Sequence, residues 1–346
     1  MKKLFSILVL LVLVSGCAIQ RPPGPSEPSS GTGEVGLIKT DSFKQFLYLS
    51  VSPHMINDNG AAGRNLEGFM EVSTQRVAAK MVMRGIAYDN EGLVDKGIKA
   101  IEYGFAHQNE DGSFQYDPRV KELGAIDADL LEAGTFFMQA VGHSYLLLNQ
   151  SRFSEKYSER LRSLEPNIRS ALSWLGNNRQ TLLEKARHAP NRLVFDGLAF
   201  KLNGIILGDE NYQSIGDEFI RENLNTQRDD GVFVEHGGHD SSYQAVSLLK
   251  LQIYWMYSDE GEMKDRIASS VEKGMLWEKA RIKDTGEVNV TGNTRTGNCQ
   301  ETFLGKCKDV SYPEVIMGFL YYARISGEKE FEALAEKVMS YAVSVA

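Results

Sequence analysis

From Glu71 onward, apolar residues recur at steps of three and four, the period of a helix that buries one face. EVSTQRVAAKMVMRGIAYD and EGLVDKGIKAIEYGFAHQ both carry the pattern and are separated only by Asn90 and its neighbours, which predicts an antiparallel helical hairpin. The same pairing returns at 129–149 with 153–176, at 191–207 with 212–226, at 240–257 with 263–281 and at 312–325 with 331–345. A single further helix is predicted over 41–52, and strand-like alternation is scarce. The expected fold class is all-α.

The connections alternate in length. Those inside the pairs are short (DN, NQSR, GDEN, SDEGE, SGEK), whereas those between pairs are long, at 107–128, 177–190, 227–239 and 282–311, with another at 53–70 before the first pair. Because successive helices reverse direction, every long connection emerges at one end of the assembly, and that rim is where function is expected. Three long connections share a turn signal: QNEDGSF, QRDDGVF and, more faintly, IKDTGEV, each with a glycine (Gly112, Gly231, Gly286) two residues before an apolar residue. The glycine suits a tight turn, and the apolar residue would anchor the loop to the core.

A helical pair with a turn signal repeated at intervals of about fifty residues describes an array of hairpins. In this the chain resembles the α/α-toroid families, which include polysaccharide lyases and six-hairpin glycosidases. The resemblance covers most of residues 41–346 and implies an (α/α) toroid or partial toroid of about five to six helical hairpins, with glycan lying across the loop-bearing end.

The first residues, MKKLFSILVLLVLVSGC, combine two lysines, an apolar run too short to span a bilayer, and a small-small-Cys ending. LVSGC resembles the bacterial lipobox. That resemblance implies a lipoprotein signal peptide over 1–16, lipidation at Cys17, and, because Ala18 and Ile19 follow, an outer-membrane anchor facing the periplasm or the exterior. Pro, Ser and Gly dominate AIQRPPGPSEPSSGTGEVG, so 17–36 reads as a flexible tether and 37–346 as one domain. Without Lys2 and Lys3 the charge is 36 basic minus 46 acidic residues, or −10, which argues against a nucleic-acid partner. Cys299 and Cys307 lie eight positions apart in one loop, outside the cytoplasm, and read as a loop-stapling disulfide.

Candidate chemistry concentrates on the predicted rim. His54, His107, His188, His236 and His239 fall in or beside long connections, and only His143 is mid-helix. DDGVFVEHGGHDSSY (229–243) is the densest stretch: Gly237 and Gly238 let the backbone bring His236 and His239 close to a ligand, and Tyr243 follows His239 by one helical turn. Asp240, Ser241 or Ser242 can cap the helix that begins there. VNVTGNTRTGNCQE (288–301) adds Asn293, Arg295 and Glu301, suited to sugar hydroxyls and carboxylates because a guanidinium fork matches a carboxylate in two contacts. The loops at 57–76 and 177–192 supply Arg64, Asn65, Glu67 and Arg76, and Asn178, Arg179, His188 and Arg192.

Two chemistries fit these residue types. Eliminating a uronate glycoside needs a base for the C5 proton, a neutraliser for the adjacent carboxylate and an acid at the leaving O4; lyases of the toroid type use Asn, His, Tyr and Arg for these roles. On that reading His239, Tyr243 and Arg295 are catalytic, with Arg64, Asn65, His188, Glu235, His236, Asn293 and Glu301 binding an acidic polysaccharide or oligosaccharide. Hydrolysis instead needs two flanking carboxyl groups, for which Asp111, Asp230, Glu235, Asp240 and Glu301 are candidates. A non-catalytic glycan-binding or envelope-assembly lipoprotein is the alternative from outside enzymology. HGGH lacks the helical HExxH arrangement, and neither a P-loop, a dinucleotide GxGxxG nor a GxSxG occurs, so no metal and no cofactor is expected. Trp174 and Trp277, near the rim ends of their helices, are candidate sugar platforms.

Overall fold

The computed structural model describes residues 33–118, 130–303 and 305–345. The expected signal peptide, Cys17 and most of the expected tether lie outside these residues. Among the described residues no helix is long and apolar enough to cross a membrane.

The protein is all-α. Two short helices, α1 (Glu34–Ile38) and α2 (Asp41–Ser50), precede five hairpins. The first is α3 (Val77–Ala87) with α4 (Glu91–Phe105). The second joins α5 (Leu130–Asn149) to α6 (Ser154–Arg162) and α7 (Glu165–Asn177), and α8 (Arg179–Ala186) follows on the rim. The others are α9 (Pro190–Leu207) with α10 (Glu210–Asn225), α11 (Ser241–Met256) with α12 (Glu262–Ala280), and α13 (Tyr312–Ser326) with α14 (Lys329–Val345).

The boundaries follow local chemistry. Asn90 accepts a hydrogen bond from the Leu93 amide to open α4, and the Asp209 side chain does the same for Asn211 and Tyr212 at α10. Gly208 and Gly327, both left-handed, end α9 and α13. Three expectations need correction. The stretch 153–176 is two helices rather than one, because Pro166 lacks an amide and sits where a helix can begin but not continue. The connection 177–190 contains α8. A two-stranded antiparallel ribbon, Thr302–Phe303 with Lys306–Cys307, occurs in the last long connection, where no strand was expected.

Helix neighbours run in a circuit. α3 touches α5, α5 touches α9, α9 touches α11 and α11 touches α13, while α2 packs between α13 and α3. The second helices of the hairpins pack outside this inner set. The sixth place, for which the sequence offered only one odd helix, is taken by α2 with α1 beside it.

One end of the circuit is filled by Glu34, 1 % exposed and therefore no part of a tether. Its carboxylate is 2.5 Å from His143 Nε2 on α5, accepts from the Tyr257 hydroxyl at 2.7 Å just past α11, and accepts also from Tyr321 on α13. α1 thus belongs to the folded domain, inserted at the short-connection end, and the expected boundary between residues 36 and 37 falls inside it.

At the other end, the shared turn signal is a repeated structure. Gln108 bridges Phe114, Gln227 bridges Phe233, and Ile282 bridges Val288; Ile56 and Ala62 form a fourth copy that the sequence did not announce. In all four a glycine (Gly60, Gly112, Gly231, Gly286) has φ near +90°. A Cβ on any of them would lie within 2.4 Å of a carbonyl oxygen of a neighbouring helix, so glycine lets the turn press against the outer wall. Gln75, in the 3-10 turn just before α3, and Gln244, in the first turn of α11, brace two of the turns by accepting from the amide of Ala62 or Phe233 and donating to the carbonyl of Gly60 or Gly231.

Candidate active site

The site is assembled where α11 begins. Asp240 caps the helix by accepting from the amides of Ser242 (3.1 Å) and Tyr243 (3.2 Å). It accepts also from the amides of Arg295 (2.9 Å) and Thr296 (2.7 Å) and from the Thr296 hydroxyl (2.8 Å). With five donors it ties the 293–301 loop to the helix start, a structural task that leaves it no capacity for substrate. Asn293 is equally committed: its carbonyl oxygen accepts from the Ser241 amide and hydroxyl, both at 3.1 Å, and its amide donates to Thr296 Oγ1 at 2.9 Å.

These ties set Arg295 over Tyr243, with Cζ 3.9 Å from the ring centroid. The guanidinium donates to Glu235 Oε1 at 2.6 Å and, from its other edge, to Glu301 at 2.7 and 3.2 Å. Lys308, which the sequence reading missed, donates to the Tyr243 hydroxyl at 3.0 Å and to Glu301 at 2.5 Å. Its only sequence signal is adjacency to Cys307, whose disulfide with Cys299 closes the segment that carries Glu301.

The electrostatics separate the two glutamates. Burial works against charge on Glu301, but Arg295 and Lys308 outweigh it and hold its carboxyl at about 2. For Glu235, 2 % exposed, burial dominates and raises the carboxyl to about 7, against the pull of Arg295 and with help from Asp240. Charge counting agrees: Glu235, Asp240 and Glu301 set three negative charges against two positive ones on Arg295 and Lys308, so one proton neutralises the cluster. Glu301 keeps Arg295 charged throughout, and burial raises the Tyr243 phenol despite the two cations.

His236 and His239 have different surroundings. His236 is exposed, held at φ 49° with its amide donating to the His188 carbonyl at 3.0 Å, and its Nε2 lies 3.8 Å from Glu235. Partial burial and Arg295 depress its pKa, so it is a neutral imidazole at the cluster's edge. His239 faces elsewhere: Nε2 is 3.2 Å from the Thr291 carbonyl, which can only accept, and the ring sits 5.4 Å from Trp277. The helical turn between His239 and Tyr243 therefore does not bring their working atoms together.

Other candidates separate cleanly. Arg64 pairs with Glu71, and buried Asn65 hydrogen-bonds Met70, Glu71 and Gln75, bracing the 53–76 loop. Asp111 and Asp230 accept from the turn amides of Ser113 and Val232 and serve the repeated turns. Trp174 packs on Phe114, and Trp277 lies beneath Arg281. Among the described residues no group of three or more His, Cys, Asp or Glu side chains could hold a metal ion.

What the fold and the site define is an all-α hairpin protein with a buried arginine–tyrosine–carboxylate cluster on its long-loop rim. No protein-family model and no curated protein sequence matches the chain.

Proposed function

We propose that the rim site is that of a polysaccharide lyase, cleaving a uronate-containing polysaccharide by β-elimination. The observation that carries this reading is the Tyr243 hydroxyl, 3.0 Å from the Lys308 ammonium and beneath the Arg295 guanidinium. A phenol so placed is neutral at rest and can give its proton to a leaving oxygen, while two cations stabilise the phenolate that forms.

The remaining roles follow from charge state. His236 Nε2 takes the C5 proton, the C5–H electrons form the C4=C5 bond, the C4–O4 bond breaks, and O4 takes the Tyr243 proton. Solvent then restores both groups. Glu235, protonated near neutral pH, donates a hydrogen bond to the uronate carboxylate beside Arg295, which neutralises the charge that opposes C5 deprotonation. His239 is a positioning residue for the 289–294 loop. The substrate is an acidic polysaccharide. The lipobox resemblance supports attachment to the outer membrane through Cys17.

Glycoside hydrolysis is favoured by one observation, the split between Glu235 at about 7 and Glu301 at about 2. Against it, Arg295 bonds to both carboxyls and fills the space a sugar would need between them.

The test incubates the purified chain with acidic and neutral polysaccharides, following ultraviolet absorbance of a C4=C5 bond together with new reducing ends. Both signals rising together is the expected result. Reducing ends without absorbance would transfer the site to hydrolysis, and saturable binding with neither signal would make it a glycan receptor.

A further inference from the structure

Below the rim cluster, four successive members of the inner set each send one side chain into a single layer. The Phe136 ring on α5 lies 4.4 Å from the Phe195 ring on α9, centroid to centroid. Arg76, the residue before α3, places its Cζ 5.0 Å from the Phe136 centroid, and Lys250 on α11 places Nζ 5.0 Å from the Phe195 centroid. The layer reads cation, ring, ring, cation. Lys250 follows Tyr243 by seven residues, hence two turns along the same face of α11 and about 10 Å deeper.

The cations outnumber their counter-charges. Lys250 donates to Gln139 Oε1 at 3.0 Å and makes no ion pair among the described residues. Lys80, one turn beyond Arg76, pairs with Glu314 of α13 at 3.0 Å. Among the charges that act on Lys250, Arg76 and Lys80 stand with it against Glu314 and, deeper, Glu34, or 3 − 2 = +1 in a chain whose formal charge is −8. Lys250 is also the only charged residue between Asp240 and Ser258, so an otherwise apolar and polar helix spends its one charge here. Burial depresses its amine to about 7, with Glu314 opposing and Lys80 and Arg76 adding to the fall; an arriving anion would restore the charge.

The passage beneath this layer is blocked, since α1 and Glu34 fill the short-connection end. A ligand can therefore reach the layer only from the long-connection side.

We propose that the Arg76–Phe136–Phe195–Lys250 layer is an anion subsite that takes the carboxylate of a uronate between Arg76 and Lys250, the two rings holding the cations in place. This rests on the lyase reading for the site above but makes a binding claim of its own. Guanidinium and ammonium groups supply the charge-assisted hydrogen bonds a carboxylate needs.

The test is calorimetric titration of the full chain with D-glucuronate and D-galacturonate, with D-glucose as the neutral control, on wild type, Lys250→Met, Arg76→Gln and Tyr243→Phe. Expected are saturable binding of at least one uronate but not of glucose, affinity at least about tenfold weaker in Lys250→Met and Arg76→Gln, and little change in Tyr243→Phe. Lys250→Met keeps length and removes a buried charge, so folding should survive, and Arg76→Gln lies on the exposed side of the layer. Uronate binding equal in all four proteins, or no uronate binding beyond that of glucose, overturns the subsite while leaving the absorbance test of the rim site untouched.

Discussion

Arg295 covers the face of Tyr243 at 3.9 Å while bonding Glu235 with one edge and Glu301 with the other. The guanidinium is thus the keystone of the site, and its charge is already committed before a substrate arrives. A uronate would be received by a neutral carboxylic acid and a shared guanidinium rather than by a bare cation.

Tyr243→Phe removes the one hydroxyl that Lys308 meets and nothing else. Turnover on the responsive polysaccharide should fall by about two to four orders of magnitude with affinity unchanged. Initial rates from absorbance and a separate binding titration check this; parallel loss of both would make the phenol a binding group.

Glu235 should make the folded protein less stable as the solution turns alkaline. Its folded pKa of about 7 lies above the ordinary carboxyl value of 4.5, so its contribution is fully present below about 4.5 and is lost as pH rises through about 7. The loss is on the order of 3 kcal/mol. Denaturation midpoints measured from pH 5 to 8 should decline in wild type and flatten in Glu235→Gln. Glu301, depressed to about 2, acts in the opposite sense, its contribution being lost as pH falls from about 4.5 toward 2.

The four turn glycines should be far less replaceable than glycines of similar φ elsewhere. An added Cβ at Gly112 meets the Ser170 carbonyl oxygen at 2.2 Å and one at Gly231 meets that of Lys273 at 2.4 Å, whereas at Gly208 it meets nothing within 4 Å. Gly112→Ala and Gly231→Ala should cost more than about 2 kcal/mol, and Gly208→Ala about 1. Chemical denaturation of the three variants compares them directly.

Glu34→Ala should be among the most destabilising single changes, by about 3 to 5 kcal/mol, because it strands His143, Tyr257 and Tyr321 without their shared acceptor. Thermal melts measure it, and a shortened chain starting at Gly36 should behave in the same way.

Opening the Cys299–Cys307 disulfide should affect the site more than the fold. The closed loop is short, so the loss is about 2 to 3 kcal/mol, while Glu301 and Lys308 lose their fixed spacing. Cys299→Ser with Cys307→Ser should retain a cooperative melt and lose most turnover.

Much of this fold was legible because a helix that buries one face must repeat its apolar residues, and the hairpins from 71 to 345 do so. α1 was not, since five residues carry too little period to separate from a Gly- and Ser-rich stretch. The 163–164 break escaped because its flanking helices keep the same apolar step across Pro166. Of the site, the convergence of 235–243 with 293–301 was visible as two polar clusters, but clusters do not say which side chains are spent on structure. Asp240, Asn293 and Asn65 turned out to brace loops, and His239 to face Trp277, all matters of backbone path. Lys308 and the Arg76–Lys250 layer depend on contacts between residues more than 50 positions apart, for which one chain carries no local signal.

The insertion of α1 also determines which way the molecule looks. Gly33 enters beside Gln150 at the short-connection end, opposite the mouth where Tyr243 lies. A tether through the leading segment, such as the lipid anchor proposed at Cys17, would therefore join the domain at the end opposite Tyr243 and leave the long-connection rim facing away from the membrane.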